Sequence, residues 1–146
     1  MSELISQSIV LFDLDVSSKE EAIRKMASAM DADGRLLDKE AYTADVFKRE
    51  ESASTAVGFS IATPHAKSDG VKTPSLGFMR FNKPFAWDEN SEDVSMAFMI
   101  GVPVDGGEQH LEILAKIFRN LIHDEFREKL TNAKSADEVV EVVNSL

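Results

Sequence analysis

The run VSMAFMIGV, residues 94–102, contains no charged side chain and one hydroxyl. A strand with one wet face alternates apolar and polar residues. This run does not alternate, so it reads as a strand covered on both faces. Covering both faces takes helices, and the sequence supplies them on either side. Upstream, Ser17 and Ser18 each stand three residues before a glutamate, Glu20 and Glu21, the capping-box spacing that starts a helix. Ile23, Met26, Ala27 and Met30 follow at helical spacing, with Gly34 as the stop. Asp38 caps a second helix whose inner face is Tyr42, Val46 and Phe47. Downstream of Gly106 and Gly107, Leu111, Leu114, Ala115, Phe118, Leu121 and Ile122 trace one face of a long helix. Asp124 opens a short helix with Phe126 and Leu130. Ser135 and Glu138 repeat the capping spacing ahead of Val139, Val142, Val143 and Leu146.

Further strands come from the alternation Val57, Phe59, Ile61 and from SLGFMRF at residues 75–81, while IVLF at residues 9–12 reads as a short first strand or an apolar lead-in. Pro84 and the acidic stretch at residues 88–93 read as turns. The sum is an α/β sandwich, a central mixed sheet flanked by helices, in one domain over residues 1–146.

Composition narrows the function. No apolar run approaches the ~20 residues of a membrane span, and MSELISQSIVLFDLD lacks the basic start and cleavage site of a signal peptide. The absence of cysteine excludes disulfides, thiolate metal sites and a cysteine nucleophile. Together these features predict a cytoplasmic protein. A net charge of −10 argues against nucleic acid as a partner. It suits a protein partner with a basic face, and equally serves solubility.

The segment GFSIATPHAK, residues 58–67, carries the chemistry. Pro64 cannot donate to a sheet ladder, so the strand is expected to end there, leaving His65 just beyond it and facing outward. A plain surface histidine is the alternative. His110 opens the long helix, where unpaired N–H groups and the helix dipole favour an anion. Arg49 has the planar donor fork that suits phosphate. Neutral imidazole is a competent nucleophile near pH 7. One nucleophilic histidine with a second histidine and an arginine would make a phosphoryl-transfer site. Taken singly, His110 reads as a helix-start surface residue and Arg49 as a salt-bridge partner of Glu50 or Glu51.

Several of these segments together resemble the fructose–mannitol class of enzyme IIA domains of the bacterial phosphoenolpyruvate-dependent sugar phosphotransferase system. The matching residues are Arg49 and Glu50, Thr55 to Gly58, and Ile61-Ala62-Thr63-Pro64-His65. The pattern continues in Pro84, Trp87-Asp88, Val102-Pro103, His110-Leu111 and Leu114-Ala115, and in DEFREKLTNAKSADEV at residues 124–139. The resemblance implies a sheet flanked by helices, with no metal or other cofactor. It implies that His65 accepts a phosphoryl group from the phosphocarrier HPr and passes it to a IIB domain. It assigns His110 as the supporting histidine and Arg49 as the phosphate-stabilising arginine. It further implies indirect association with a membrane IIC component and no direct sugar binding.

Ser60 stands where a glycine is common in the family and Thr63 where an aliphatic residue is usual, both beside the site. Trp87 and PHAKSDGV lean towards the fructose branch. A regulatory, nitrogen-related IIA protein would use the same His65 to report phosphorylation state. From another class, histidines with carboxylates could form a metal-dependent hydrolase, but no HExxH or similar ligand spacing exists and His123 joins no cluster. The contact surface is expected around His65, with apolar residues such as Phe59 or Ala66 and an acidic edge.

Overall fold

The computed structural model describes residues 4–89, 92–105 and 107–146, with residues 107–111, 113 and 114 described by their backbone. Among the described residues six strands form one mixed sheet in the order β1-β5-β6-β3-β2, with β4 also paired to β6. The strands are β1 (Val10–Leu14), β2 (Ala56–Gly58), β3 (Ile61–Ala62), β4 (His65–Lys67), β5 (Ser75–Ala86) and β6 (Asp93–Val102). β5 and β6 form a long antiparallel pair at the centre, and β1, β3 and β4 join it in parallel. The uncharged run is buried from Met96 to Val102, as a strand covered on both faces requires.

Helices α1 (Lys19–Ala32) and α2 (Lys39–Ser52) cover one face of the sheet. A Cβ on Gly77 would lie 2.5 Å from the Met26 sulfur, and one on Gly101 2.9 Å from the Tyr42 ring. Both glycines therefore let helices approach the sheet more closely than any side chain would allow. The Tyr42 hydroxyl, fully buried, donates to the Ile100 carbonyl at 2.9 Å and fastens α2 to β6. On the other face, Phe98 packs against Phe78 and Phe126, the latter on α4 (Asp124–Asn132). Arg80 donates to the carbonyls of Leu130, Thr131 and Ala133 at the end of that helix, satisfying acceptors that a helix terminus leaves open. Helices α3 (Gly107–Leu121) and α5 (Ala136–Asn144) complete the set.

The caps form as the sequence indicates. Ser18, Asp38 and Ser135 accept from the backbone N–H groups of Glu21, Ala41 and Glu138. Gly34, at φ 76°, follows the end of α1.

Three expectations need correction. Pro84 does not break the chain into a turn, because β5 runs through it. The β5–β6 register shifts between Arg80 and Phe85, and Asn82, Lys83 and Pro84 are exposed there, so the missing N–H costs no ladder bond. The alternation of Val57, Phe59 and Ile61 is not one strand. Phe59 and Ser60 have φ of 58° and 62° and form the two-residue turn of a hairpin between β2 and β3. Among the described side chains of α3, Ile117 and Leu121 are buried while Ala115 and Phe118 are exposed, as is Ile122 just beyond the helix. The expected stripe is thus met at Leu121 but not at Ala115 or Phe118, with Ile117 buried beside it. Asn90 and Ser91 of the acidic stretch, Gly106, and the side chains of Leu111 and Leu114 lie outside the described residues.

Candidate functional site

The strand does not end at Pro64. It is interrupted at Thr63 and Pro64 and resumes at His65. Ile61 and Ala62 pair with Met96 and Ala97, and His65, Ala66 and Lys67 pair with Ile100, Gly101 and Val102 in the same register. The Pro64 carbonyl still accepts from the Ile100 N–H at 3.0 Å, so only the donor that proline lacks is missing. His65 is therefore the first residue of a re-entered parallel strand, held to the central strand on both sides of the break.

The His65 ring is half-buried, and its Nδ1 lies 2.7 Å from the carbonyl oxygen of Thr63. A carbonyl only accepts, so Nδ1 carries the proton, and in the neutral ring the lone pair is on Nε2. Burial, the largest influence, holds the imidazole below its usual titration range. The positive charge of Arg49 adds to this, while the Thr63 hydrogen bond and the charge of Glu50 act the other way.

Arg49 is in the last turn of α2, and its Nη1 donates to the Ala53 carbonyl at 2.8 Å. His65 and Arg49 line one open cavity of about 460 Å³ together with Asp45, Lys48, Ser52 and Lys67. Three cationic side chains thus surround the histidine in a chain whose net charge is −10. Lys48 and Lys67 went unrecognised in the sequence because an isolated lysine carries no spacing signal. The basic surroundings suit a group with charged oxygens. Asp45 is held by the Ser68 hydroxyl at 2.6 Å.

Of the other sequence candidates, His110 falls in the first turn of α3, and its side chain lies outside the described residues. His123 caps α4 without a side-chain hydrogen bond to the helix. Ala66 is largely buried yet lines the cavity beside His65, and Phe59 is 47% exposed with the Arg127 guanidinium 4.2 Å from its ring centre. Glu50 forms no ion pair with Arg49. It turns inward, accepts from the Thr55 hydroxyl, and lies 3.6 Å from Lys19 Nζ. Lys19 and the Ser54 hydroxyl both bind Asp88, tying the start of α1 to the segments that follow α2 and β5. The family pattern includes Glu50, Thr55 and Asp88, but nothing in the sequence joins them into one network. Among the described residues, no three His, Asp or Glu side chains are grouped as a metal would need.

The sequence matches one family along almost its whole length. Its model, phosphoenolpyruvate-dependent sugar phosphotransferase system, EIIA 2, matches residues 3–146. The chain belongs to this family. It is a IIA-type component of a phosphotransferase system. It is 37% identical to the PTS system fructose-specific EIIA component of Haloferax volcanii, over 98% of this chain and 94% of that one. It is 29% identical to the PTS system fructose-specific EIIABC component of Bacillus subtilis, matching 99% of this chain but 23% of that longer protein. Among solved structures, nitrogen regulatory protein IIA-Ntr of Neisseria meningitidis superposes with a TM-score of 0.81 at 27% identity, covering 96% of each chain. Escherichia coli IIAMTL, solved in complex with phosphorylated IIBMTL, has the same fold at a TM-score of 0.81 and 21% identity, with 98% of this chain and 100% of that one covered.

Among the described residues no helix is long and apolar enough to cross a membrane.

Proposed function

We propose that this IIA-type component carries a phosphoryl group on Nε2 of His65, receiving it from HPr and delivering it to a IIB domain during fructose-type sugar uptake. The observation that carries the reading is the Thr63 carbonyl bond to Nδ1, which puts the ring proton on Nδ1 and makes Nε2 the nucleophilic nitrogen of the neutral ring. In the first step Nε2 bonds to phosphorus as the donor's N–P bond breaks, and in the second the acceptor displaces Nε2. Arg49 supplies a planar pair of donors to the phosphoryl oxygens, with Lys48 and Lys67 adding charge. His110 supports the phosphorylated ring. The nucleophile, being held below its usual titration range, is neutral near pH 7 and ready to attack. No cofactor is required. The setting is cytoplasmic, with the membrane IIC component reached only through IIB, and neither nucleic acid nor sugar is bound directly.

The Haloferax relative supports the fructose assignment, and the IIAMTL–IIBMTL complex supports a IIB partner. Incubation with phosphoenolpyruvate, enzyme I and HPr should add one acid-labile, base-stable phosphoryl group, which His65→Ala abolishes. Full labelling of that variant would refute the assignment. The likeness to the Neisseria nitrogen regulatory protein favours a second reading, signalling by phosphorylation state. Phosphorylated protein that never passes its group to a fructose-type IIB domain would select that reading.

A further inference from the structure

Glu50 is a carboxylate that the proposed chemistry does not use, and its burial calls for an explanation. Its side chain is 2% exposed, and Oε2 has no hydrogen-bond partner among the described residues. Lys19 Nζ, at 3.6 Å, neutralises part of the charge but is beyond good hydrogen-bond length. Burying a carboxylate on these terms costs stability, so its retention points to a task other than holding the fold together.

The other oxygen shows where that task leads. Oε1 accepts from the Thr55 hydroxyl. The carbonyl of Thr55 accepts twice from Thr63, from its N–H at 2.9 Å and from its hydroxyl at 3.4 Å. The carbonyl of Thr63 then takes the Nδ1 proton of His65 at 2.7 Å. Glu50, Thr55 and Thr63 are at most 6% exposed, so water does not compete for these bonds. The Thr63 hydroxyl thus contributes a bond that an aliphatic residue would lack. Glu50 also follows Arg49 directly on α2, and consecutive helical residues point about 100° apart. One turn of helix therefore sends Arg49 into the cavity and Glu50 inward towards the segment that carries the histidine.

We propose that Glu50 is a positioning residue for His65: through Thr55 and Thr63 it fixes the imidazole in its Nδ1–H tautomer and sets the ring against Arg49. The effect on transfer rests on His65 being the phosphoryl acceptor; the effect on the tautomer does not. Such supporting bonds matter because small misplacements of a reacting group carry large rate penalties.

The test compares Thr55→Val, Thr55→Ser and Glu50→Gln in the full chain. The tautomer is read by two-bond ¹⁵N–¹H correlation of the His65 ring, and single-turnover phosphorylation by phosphorylated HPr is timed. Thr55→Val should lower the Nδ1–H fraction and slow transfer about tenfold. Thr55→Ser should restore both, because the hydroxyl returns. Glu50→Gln should shift both in the same direction by less, since a neutral amide oxygen is a weaker acceptor. Should Thr55→Val not fold, Glu50→Gln reads the same two quantities. Wild-type values in Thr55→Val would overturn the proposal, as would a loss in Thr55→Val that Glu50→Gln does not share. If His65→Ala still labels fully, the functional reading falls, while the tautomer comparison continues to judge this one.

Discussion

The carbonyl oxygen of Thr63 lies 2.7 Å from Nδ1 of His65, two residues on along the chain. The short loop created by the Pro64 interruption thus determines which ring nitrogen carries the proton. It also creates a pH dependence.

His65 should titrate below the ordinary histidine value of 6.5, because burial disfavours its charged form. As pH falls through 6.5 the unfolded chain takes up the proton first, so folding stability should decline between 6.5 and the folded-state midpoint. Below that midpoint this contribution should level off. An NMR titration of the ring carbon shifts reads the midpoint directly, and one at or above 6.5 would contradict the site's geometry.

Arg49→Lys keeps the charge and loses the planar fork. Transfer to a IIB domain should slow by on the order of 10²–10³, the usual cost of removing one donor aimed at developing charge. His110→Ala should still accept phosphate from HPr and pass it on more slowly. Single-turnover transfer from phosphorylated protein, with folding checked by circular dichroism, measures both. Wild-type rates in the two variants would reduce the site to His65 and backbone donors.

Gly101→Ala places a methyl group 2.9 Å from the Tyr42 ring. The overpacking should cost about 1–3 kcal/mol in urea unfolding. Because Gly101 pairs with Ala66 beside His65, and Tyr42 shares α2 with Arg49, transfer should slow as well. A variant as stable as wild type would show that α2 can shift freely over the sheet.

Ser60→Gly should stabilise the protein by about 1 kcal/mol. Ser60 has φ 62°, a conformation that strains a side-chain-bearing residue and suits glycine. Its N–H bond to Glu92 at 2.7 Å does not involve the side chain and should survive. The urea midpoint should rise with transfer unchanged. A fall would mean that the Ser60 side chain makes up for its backbone strain.

Features encoded within a few residues were legible. Ser18, Asp38 and Ser135 announce helix starts because each cap bonds to an N–H three residues on. Residues 94–102 announce the central strand by composition alone. What escaped depends on distant partners. Pro84 stays in β5 only because the register slips against β6 at that point. The turn at Phe59 and Ser60 lacks the Asn-Gly or Asp-Gly pair that marks such hairpins. At the site, Pro64 and His65 stood out, yet the re-entry of the strand depends on β6, some thirty-five residues away. Glu50 looked like a surface neighbour of Arg49, since Lys19, Thr55 and Asp88 come from three separate segments.

The unbroken register across Pro64 has a mechanical consequence. Ala62 and His65 are both locked to the innermost strand, so the segment between them has no slack with which to swing. Freeing it would mean breaking its pairing with the central strand. Under the proposed function, the histidine is a stationary mooring rather than an arm. Donor and acceptor must each travel to it, one leaving before the other arrives, and turnover is then paced by how quickly they change places.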